Sequence, residues 1–335
     1  MSDRLIVILG DPMISAETVR MAFHDRLPAG WRPWTQDWAA PTEEVIEANR
    51  LVERGGPDAF RPPWPELDDD QVGGVITHFY PLPRALLSRW PRLDFVATLR
   101  AGTEHIDTAE LDRRGVTLIR NTGRNANAVA EFTVAAMLGQ LRRLGEGQQA
   151  IRTGGWRPEI PAGGFRELTG RTIGLIGYGA VGSLVARRLS GFEPRLLVFD
   201  PWLDPTGLPA GAEAVALPDL LARAEIISLH ARSTPETRHL IGPAELDRLR
   251  PDAILINTAR AELVDEAAMI ERLVDGRLAG AALDVFGTEP LPADHVLRRL
   301  TTVALSPHVA GFTVEARTRA PALLADRVLA HLTRP

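Results

Sequence analysis

The chain has 335 residues, 45% hydrophobic and 24% charged, with a net charge of −5; this is the make-up of a globular protein of about two domains, with no basic surplus to draw nucleic acid or an anionic membrane. No apolar run reaches the ~18 residues of a membrane span, and MSDRLIVILGD has neither a basic n-region nor a cleavage site, so the cytoplasm is the expected compartment. Cysteine and lysine are both absent and no H-E-x-x-H or other close histidine pair occurs, so disulfides, thiolate and Schiff-base chemistry, a Walker A lysine and a metal site are not expected.

In chain order, residues 5–9 read as a buried strand and residues 15–23 as a helix with Ser15 at its N-cap. Residues 31–38 are aromatic without clear periodicity. Residues 42–54 read as a helix, Thr42 capping it and Glu43 and Glu44 in its first turn; residues 55–70, rich in Gly, Pro and acid, read as a loop. Strands follow at 73–79, 95–99 and 116–119, with helices at 84–90 and 109–114, the last ended by Gly115. Residues 127–144 form one long apolar helix, and residues 152–168 an irregular stretch that could be an arm. Further strands are expected within 172–198 and at 225–229, 253–257, 280–284 and 302–305. Strands alternating with helices imply parallel sheets covered on both faces: an α/β chain with two doubly wound domains.

Residues 172–200, TIGLIGYGAVGSLVARRLSGFEPRLLVFD, read as strand, glycine turn, helix and strand. Gly177-Tyr178-Gly179-Ala180-Val181-Gly182 fits G-x-G-x-x-G between a strand and a helix, where that motif has physical meaning. Gly177 permits the tight turn, Gly179 the approach of a pyrophosphate, and Gly182 close helix packing, while the helix N-terminus offers N–H groups to phosphates. Asp200 closes the second strand where a carboxylate can bind a ribose 2′-hydroxyl. The expected cofactor is NAD (NADH), and Pro201 and Trp202 supply no cation for a 2′-phosphate.

Ligands of doubly wound sheets sit beyond the carboxyl ends of the strands. Four endings there carry chemistry: Thr258-Ala259-Arg260, Asp284 leading to Gly287-Thr288-Glu289-Pro290, Pro307-His308, and Arg100-Ala101-Gly102-Thr103. An Arg, a Glu and a His suit reduction of a 2-oxo acid. The arginine fork binds the carboxylate, the histidine exchanges a proton with the carbonyl oxygen, and a carboxylate beside the imidazole raises a pKa that starts near 6.5. Taken singly, each has a plainer alternative: a solvated Arg260, a turn-capping Asp284, a hydrogen-bonded His230 at a strand end.

Taken together, LRAGTEHID, NAVAEFTVAAML, LIGYGAVG, LHARSTPETRHLIG, INTARAELVDE, GAALDVFGTEP and LSPHVAG resemble the D-2-hydroxyacid dehydrogenase family, to which D-lactate, glyoxylate/hydroxypyruvate and D-3-phosphoglycerate dehydrogenases belong. The resemblance runs from about residue 72 to 312. It implies NADH-dependent, reversible reduction of a 2-oxo acid to the (R)-2-hydroxy acid, with Arg260, Glu289 and His308 as the catalytic set and Asp284 facing the nicotinamide amide. It further implies cofactor contacts from His230, Ala231, Arg232, Thr237, Thr258 and Ala259, and a substrate-carboxylate loop at Arg100, Ala101, Gly102 and Thr103; His78, Phe79, Tyr80 and Phe312 are weaker candidates for pocket walls, with ordinary packing the alternative for each. The topology it implies is a Rossmann cofactor domain (residues 122–308) inserted in a flavodoxin-like substrate domain (residues 1–121 and 309–335), closing on the substrate, and a homodimer through the long helix and the arm. An NAD-binding, redox-sensing corepressor-like protein with little turnover is the alternative.

Three departures bear on substrate and cofactor preference: Ala261 and Glu262 stand where the family often has two glycines, Arg232 where it often has proline, and the segment 42–70 is longer than usual. The arginines Arg100, Arg124 and Arg232 suggest a substrate with a second anionic group, such as a phosphate, phosphonate or second carboxylate, unless Arg100 pairs with Glu104 or Asp107 and Arg124 lies on the surface.

Overall fold

The apolar run RLIVILG forms strand β1 (Arg4–Gly10), with six of its seven residues buried. This is a computed structural model describing residues 4–156 and 164–334. Helix α1 (Ala16–Met21) follows, its N-terminus capped by the Ser15 hydroxyl, which accepts from the Thr18 N–H. The aromatic tract is strand β2 (Trp31–Asp37), paired only with β1 at a sheet edge; half-exposed edge strands tolerate Pro33 and need no apolar run. Helix α2 (Thr42–Gly55) begins after Pro41 without a side-chain cap bond, so Thr42 is its first residue and not its N-cap as expected.

Strands β3 (Val72–Thr77), β4 (Phe95–Thr98) and β5 (Thr117–Arg120), with short helices α3 (Arg84–Leu87) and α4 (Thr108–Arg114), complete a five-stranded parallel sheet. Its order, β2-β1-β3-β4-β5, is the flavodoxin-like one, which reverses direction between β1 and β3. Residues 42–70 pack on this sheet's own unit: Val45, Ala48 and Val52 of α2, with Phe60, Trp64 and Leu67, join the core that holds Val7, Leu9 and Trp90. Asp69 accepts from Arg89 and from the Trp90 indole N–H at 3.1 Å.

The expected helix over residues 127–144 is α5 (Ala126–Arg142), ended at Arg143, which takes the left-handed conformation (φ 52°); a further helix that was not expected, α6 (Leu144–Arg152), follows it. Of the possible arm over 152–168, residues 157–163 lie outside the described residues. Strand β6 (Thr172–Ile176), helix α7 (Ala180–Leu189) and strand β7 (Arg195–Phe199) follow, then the two-residue edge strand β8 (Glu213–Ala214), which no apolar run marks in the sequence. Helix α8 (Leu217–Arg223), β9 (Ile226–Leu229), α9 (Pro243–Leu246), β10 (Ile254–Asn257), α10 (Glu266–Val274), β11 (Gly280–Leu283) and β12 (Val303–Leu305) complete a seven-stranded parallel sheet ordered β12-β11-β10-β9-β6-β7-β8. That is the Rossmann order, reversing between β6 and β9. Every residue of β9, β10 and β11 is buried, as strands covered on both faces require.

The last helix, α11 (Val314–Leu332), places Ala320, Leu324, Ala325 and Val328 against Ile6, Ile8 and Phe95 of the first sheet, and Asn121 donates to the Ala320 carbonyl at 2.8 Å. Two compact units result: Met1–Arg124 with Thr313–Pro335, and Asn125–Phe312.

Candidate active site

In the seven-stranded unit the glycine turn sits at the order reversal, between β6 and β9. Gly177 has φ +93°, and a Cβ there would fall 2.7 Å from Ala231 N and His230 C. A Cβ on Gly182 would fall 2.2 Å from the Gly177 carbonyl oxygen, so both positions require glycine for packing. Gly179 differs: nothing lies within 4 Å of its added Cβ, and it and Ala180 are exposed at the first turn of α7. Open space over unpartnered helix N–H groups is the cradle a pyrophosphate fits, so these residues suit a dinucleotide. Tyr178 and Val181 pack their side chains against the core and line the turn through backbone.

Asp200 braces this turn. Its Oδ2 accepts the Tyr178 N–H at 2.7 Å and its Oδ1 the Trp202 N–H at 2.9 Å, leaving lone pairs for a ribose hydroxyl. Pro201 and Trp202 are exposed. His230 donates its backbone N–H to Ile176 at 2.7 Å and places Nε2 3.0 Å from Ser228 Oγ; its Nδ1 is buried with no hydrogen-bond partner among the described residues, and burial lowers its pKa to about 4, which keeps it neutral. Ala231 packs against the core and Arg232 is exposed. Thr237 Oγ1 donates to the Arg232 carbonyl at 2.6 Å and accepts the Thr234 N–H at 2.8 Å, fixing this loop from within.

Beyond β10, Asn257 holds the next residues in place: its side chain accepts from Ala259 N–H and donates to the Arg260 carbonyl. Thr258 is buried and bonded to Thr133 Oγ1 at 2.8 Å. Arg260 is exposed, donates only to the Ala259 carbonyl, and has no carboxylate in salt-bridge range among the described residues. A guanidinium so placed is available to a ligand carboxylate.

His308 Nδ1 lies 2.8 Å from Glu289 Oε2, and Glu289 Oε1 accepts the Phe286 N–H at 3.0 Å. The hydrogen bond to Glu289 raises the His308 pKa against the opposing effects of burial and of Arg260. Burial acts to raise the Glu289 pKa, but the bond to His308 and its charge outweigh this and hold the carboxyl below its ordinary range. The pair therefore stores a proton on the imidazole. His308 has a positive φ of 56°, uncommon for a side-chain-bearing residue. Asp284 stabilises it: Oδ1 accepts from Ser306 Oγ (2.6 Å) and Val309 N–H (2.9 Å), and Oδ2 from Ala310 N–H (2.8 Å). Asp284 is 1% exposed, and its accepting capacity is directed mostly at the Ser306 hydroxyl before His308 and the Val309 and Ala310 N–H groups after it.

In the five-stranded unit, Arg100 donates to Asn49 Oδ1 (2.7 Å) and Glu53 Oε1 (2.6 Å) on α2 and lies 4.7 Å over the Phe79 ring; its partners are not Glu104 or Asp107. The backbone N–H groups of Gly102 and Thr103, next to exposed Ala101, make no hydrogen bond among the described residues and are open to a carboxylate. His78 and Phe79 are buried beside Asp11, whose Oδ2 lies 2.8 Å from His78 Nδ1. Tyr80, offered as a pocket wall, is a core residue with no exposure, its hydroxyl donating to the Pro63 carbonyl. Phe312 is 62% exposed. Asp11 and Asn257 were missed as site-shaping residues; the only signal was a polar residue immediately ending a buried strand. Among the described residues no group of three or more His, Asp or Glu could hold a metal ion.

Residues 134–310 match the model of the D-isomer specific 2-hydroxyacid dehydrogenase NAD binding domain. A glyoxylate reductase of Thermofilum pendens is 41% identical over 249 residues, covering 72% of this chain and 73% of that protein. A D-3-phosphoglycerate dehydrogenase of Mycobacterium bovis is 35% identical over 265 residues, covering 79% of this chain and 49% of that longer protein. Among solved structures, a 2-hydroxyacid dehydrogenase from Ketogulonicigenium vulgare Y25 superposes with a TM-score of 0.72 at 28% identity, covering 99% of this chain and 96% of that one.

Proposed function

The chain belongs to the family of D-isomer specific 2-hydroxyacid dehydrogenases, and from that premise we propose a division of labour among its residues. It is an oxidoreductase that uses a nicotinamide dinucleotide to reduce 2-oxo acids to D-2-hydroxy acids. A nicotinamide cofactor held there would supply the hydride for the carbonyl carbon. Protonated His308 gives its Nε2 proton to the carbonyl oxygen, and takes it back in the reverse reaction. Glu289 holds that imidazole and favours its charged form. Arg260 binds the substrate carboxylate and draws charge from the neighbouring carbonyl, while the Gly102 and Thr103 N–H groups take part in carboxylate binding. Gly179 and the N–H groups at the start of α7 would hold the pyrophosphate, with Gly177 and Gly182 shaping the turn beneath it, and Asp200 would hold the adenosine ribose.

The observation that carries this reading is the 2.8 Å His308–Glu289 pair with an unpaired Arg260 on a neighbouring strand end. Following NADH absorbance with glyoxylate, pyruvate, hydroxypyruvate and oxaloacetate tests it; a protein that binds NADH but turns over none of them would be the corepressor-like alternative. A cytoplasmic homodimer belongs to the same proposal. It is supported by the exposed apolar residues Leu144, Ile151 and Trp156 on and after α6, and light scattering measures it.

A further inference from the structure

Strand β11 runs out into the segment that carries Glu289, and two carboxylates grip the start of that segment. Buried Phe286 gives its N–H to Glu289 Oε1 at 3.0 Å, and Gly287 gives its own to Glu266 Oε2 at 3.0 Å. Consecutive amides thus serve the carboxylate bonded to His308 and a second one brought in by α10. The other oxygen of Glu266, Oε1, lies 3.7 Å from His295 Nε2. His295 Nδ1 accepts the Leu297 N–H at 3.3 Å, so Nε2 carries a proton and faces Glu266. One side chain therefore holds both ends of the segment 287–295.

Local structure gives Glu266 this reach. It is the first residue of α10, directly after the Asp265 cap, and a helix N-terminus favours its charge. Gly287 leaves it room: a Cβ there would fall 3.3 Å from Glu266 Oε1. Between the two held ends, Arg298 donates to the Leu291 and Pro292 carbonyls at 2.6 and 2.8 Å, so the intervening turn is itself fixed. The charged groups facing His308 are Glu289, Arg260 and Asp284, and Arg260 also faces Glu289. Glu266 faces His295 and acts on the Glu289–His308 pair through the backbone.

We propose that Glu266 is a positioning residue: held to Gly287 and His295, it fixes the segment from which the Glu289 carboxylate meets the His308 imidazole. This rests on the reading of His308 as the proton donor and adds a residue to its support. The requirement is strict, since a misplacement of about 1 Å at a reacting centre can cost about 10²-fold in rate.

The test uses NADH and whichever of glyoxylate, pyruvate, hydroxypyruvate and oxaloacetate is reduced best. It measures kcat, KM, the pH profile of kcat/KM and melting temperature for wild type, Glu266→Ala, Glu266→Gln and Glu289→Gln. Glu266→Ala leaves the Gly287 N–H without its acceptor and lowers kcat about 10-fold or more, while KM and NADH affinity change little. The loosened Glu289 bond supports less positive charge on His308, so the descending limb of the profile moves to lower pH. Glu266→Gln keeps an acceptor for Gly287 and recovers part of both effects. A residue that served the fold alone would lower the melting temperature and leave the limb in place; that outcome, or a Gln variant no better than Ala, overturns the assignment. A limb that moves in Glu289→Gln but not in Glu266→Ala overturns this assignment alone, whereas a limb that moves in neither, or a wild type without turnover, overturns the proton-donor reading with it. Should Glu266→Ala not fold, Gly287→Ala, at an exposed position and pressing on Glu266 Oε1, moves the limb the same way; an unmoved limb there overturns the assignment.

Discussion

His308 and Glu289, 19 residues apart in sequence, are joined Nδ1 to Oε2 at 2.8 Å, and the bond keeps the imidazole protonated above its ordinary range. Reduction uses the protonated form, so kcat/KM for a 2-oxo acid holds on the acid side and falls as pH rises through the raised pKa. Oxidation of the hydroxy acid uses the neutral form and rises over the same window. Glu289→Gln removes the main cause of the shift, and the descending limb of the reduction profile moves to lower pH. Profiles that coincide for wild type and Glu289→Gln would exclude Glu289 from this role.

His308→Asn removes the proton donor and costs about 10²–10⁴ in kcat. Cofactor affinity, measured by NADH fluorescence titration, changes little. A variant with kcat near wild type would take His308 out of the mechanism.

Asp284→Ala strips the acceptors from Ser306, Val309 and Ala310, and buried bonds to a charged group contribute roughly 1.5–3 kcal/mol each. The strained backbone at His308 is released, so melting temperature and kcat both fall. An unchanged melting temperature would show that the segment holds its own conformation.

Gly179→Ala and Gly182→Ala separate binding from packing. The first adds a methyl to open space, so melting temperature stays near wild type while NADH affinity drops about tenfold or more, the methyl standing where phosphate approaches. The second drives a Cβ to 2.2 Å from the Gly177 carbonyl oxygen, destabilising by about 1–3 kcal/mol. Equal melting temperatures and equal NADH affinities in the two variants would refute this account of the turn.

NADH is used in preference to NADPH, because a 2′-phosphate would meet the Asp200 carboxylate. Exposed Arg232, on the loop after β9, is the cation that would work against this preference. The check is the ratio of kcat/KM for the two cofactors in wild type and in Asp200→Ser, which should move it toward NADPH; comparable wild-type values would overturn the preference.

The dinucleotide turn was legible in the sequence because its determinants are local: strand, glycines, helix and acid fall within residues 172–200, and each glycine answers a backbone requirement nearby. The strand ends carrying Arg260, Glu289 and His308 were legible as buried runs stopped by polar residues. Edge strands β2 and β8 were not, because an edge strand needs no continuous apolar run, and neither was α6, which buries none of its residues and so carries no core-facing apolar stripe. Strand order, a non-local property, was decided by tertiary structure. Pairing β1 with β3 brings Asp11 to His78 across 67 residues, and folding α2 back brings Glu53 to Arg100 across 47. Sequence spacing offered Glu104 and Asp107 as partners for Arg100; only three-dimensional packing selected Glu53.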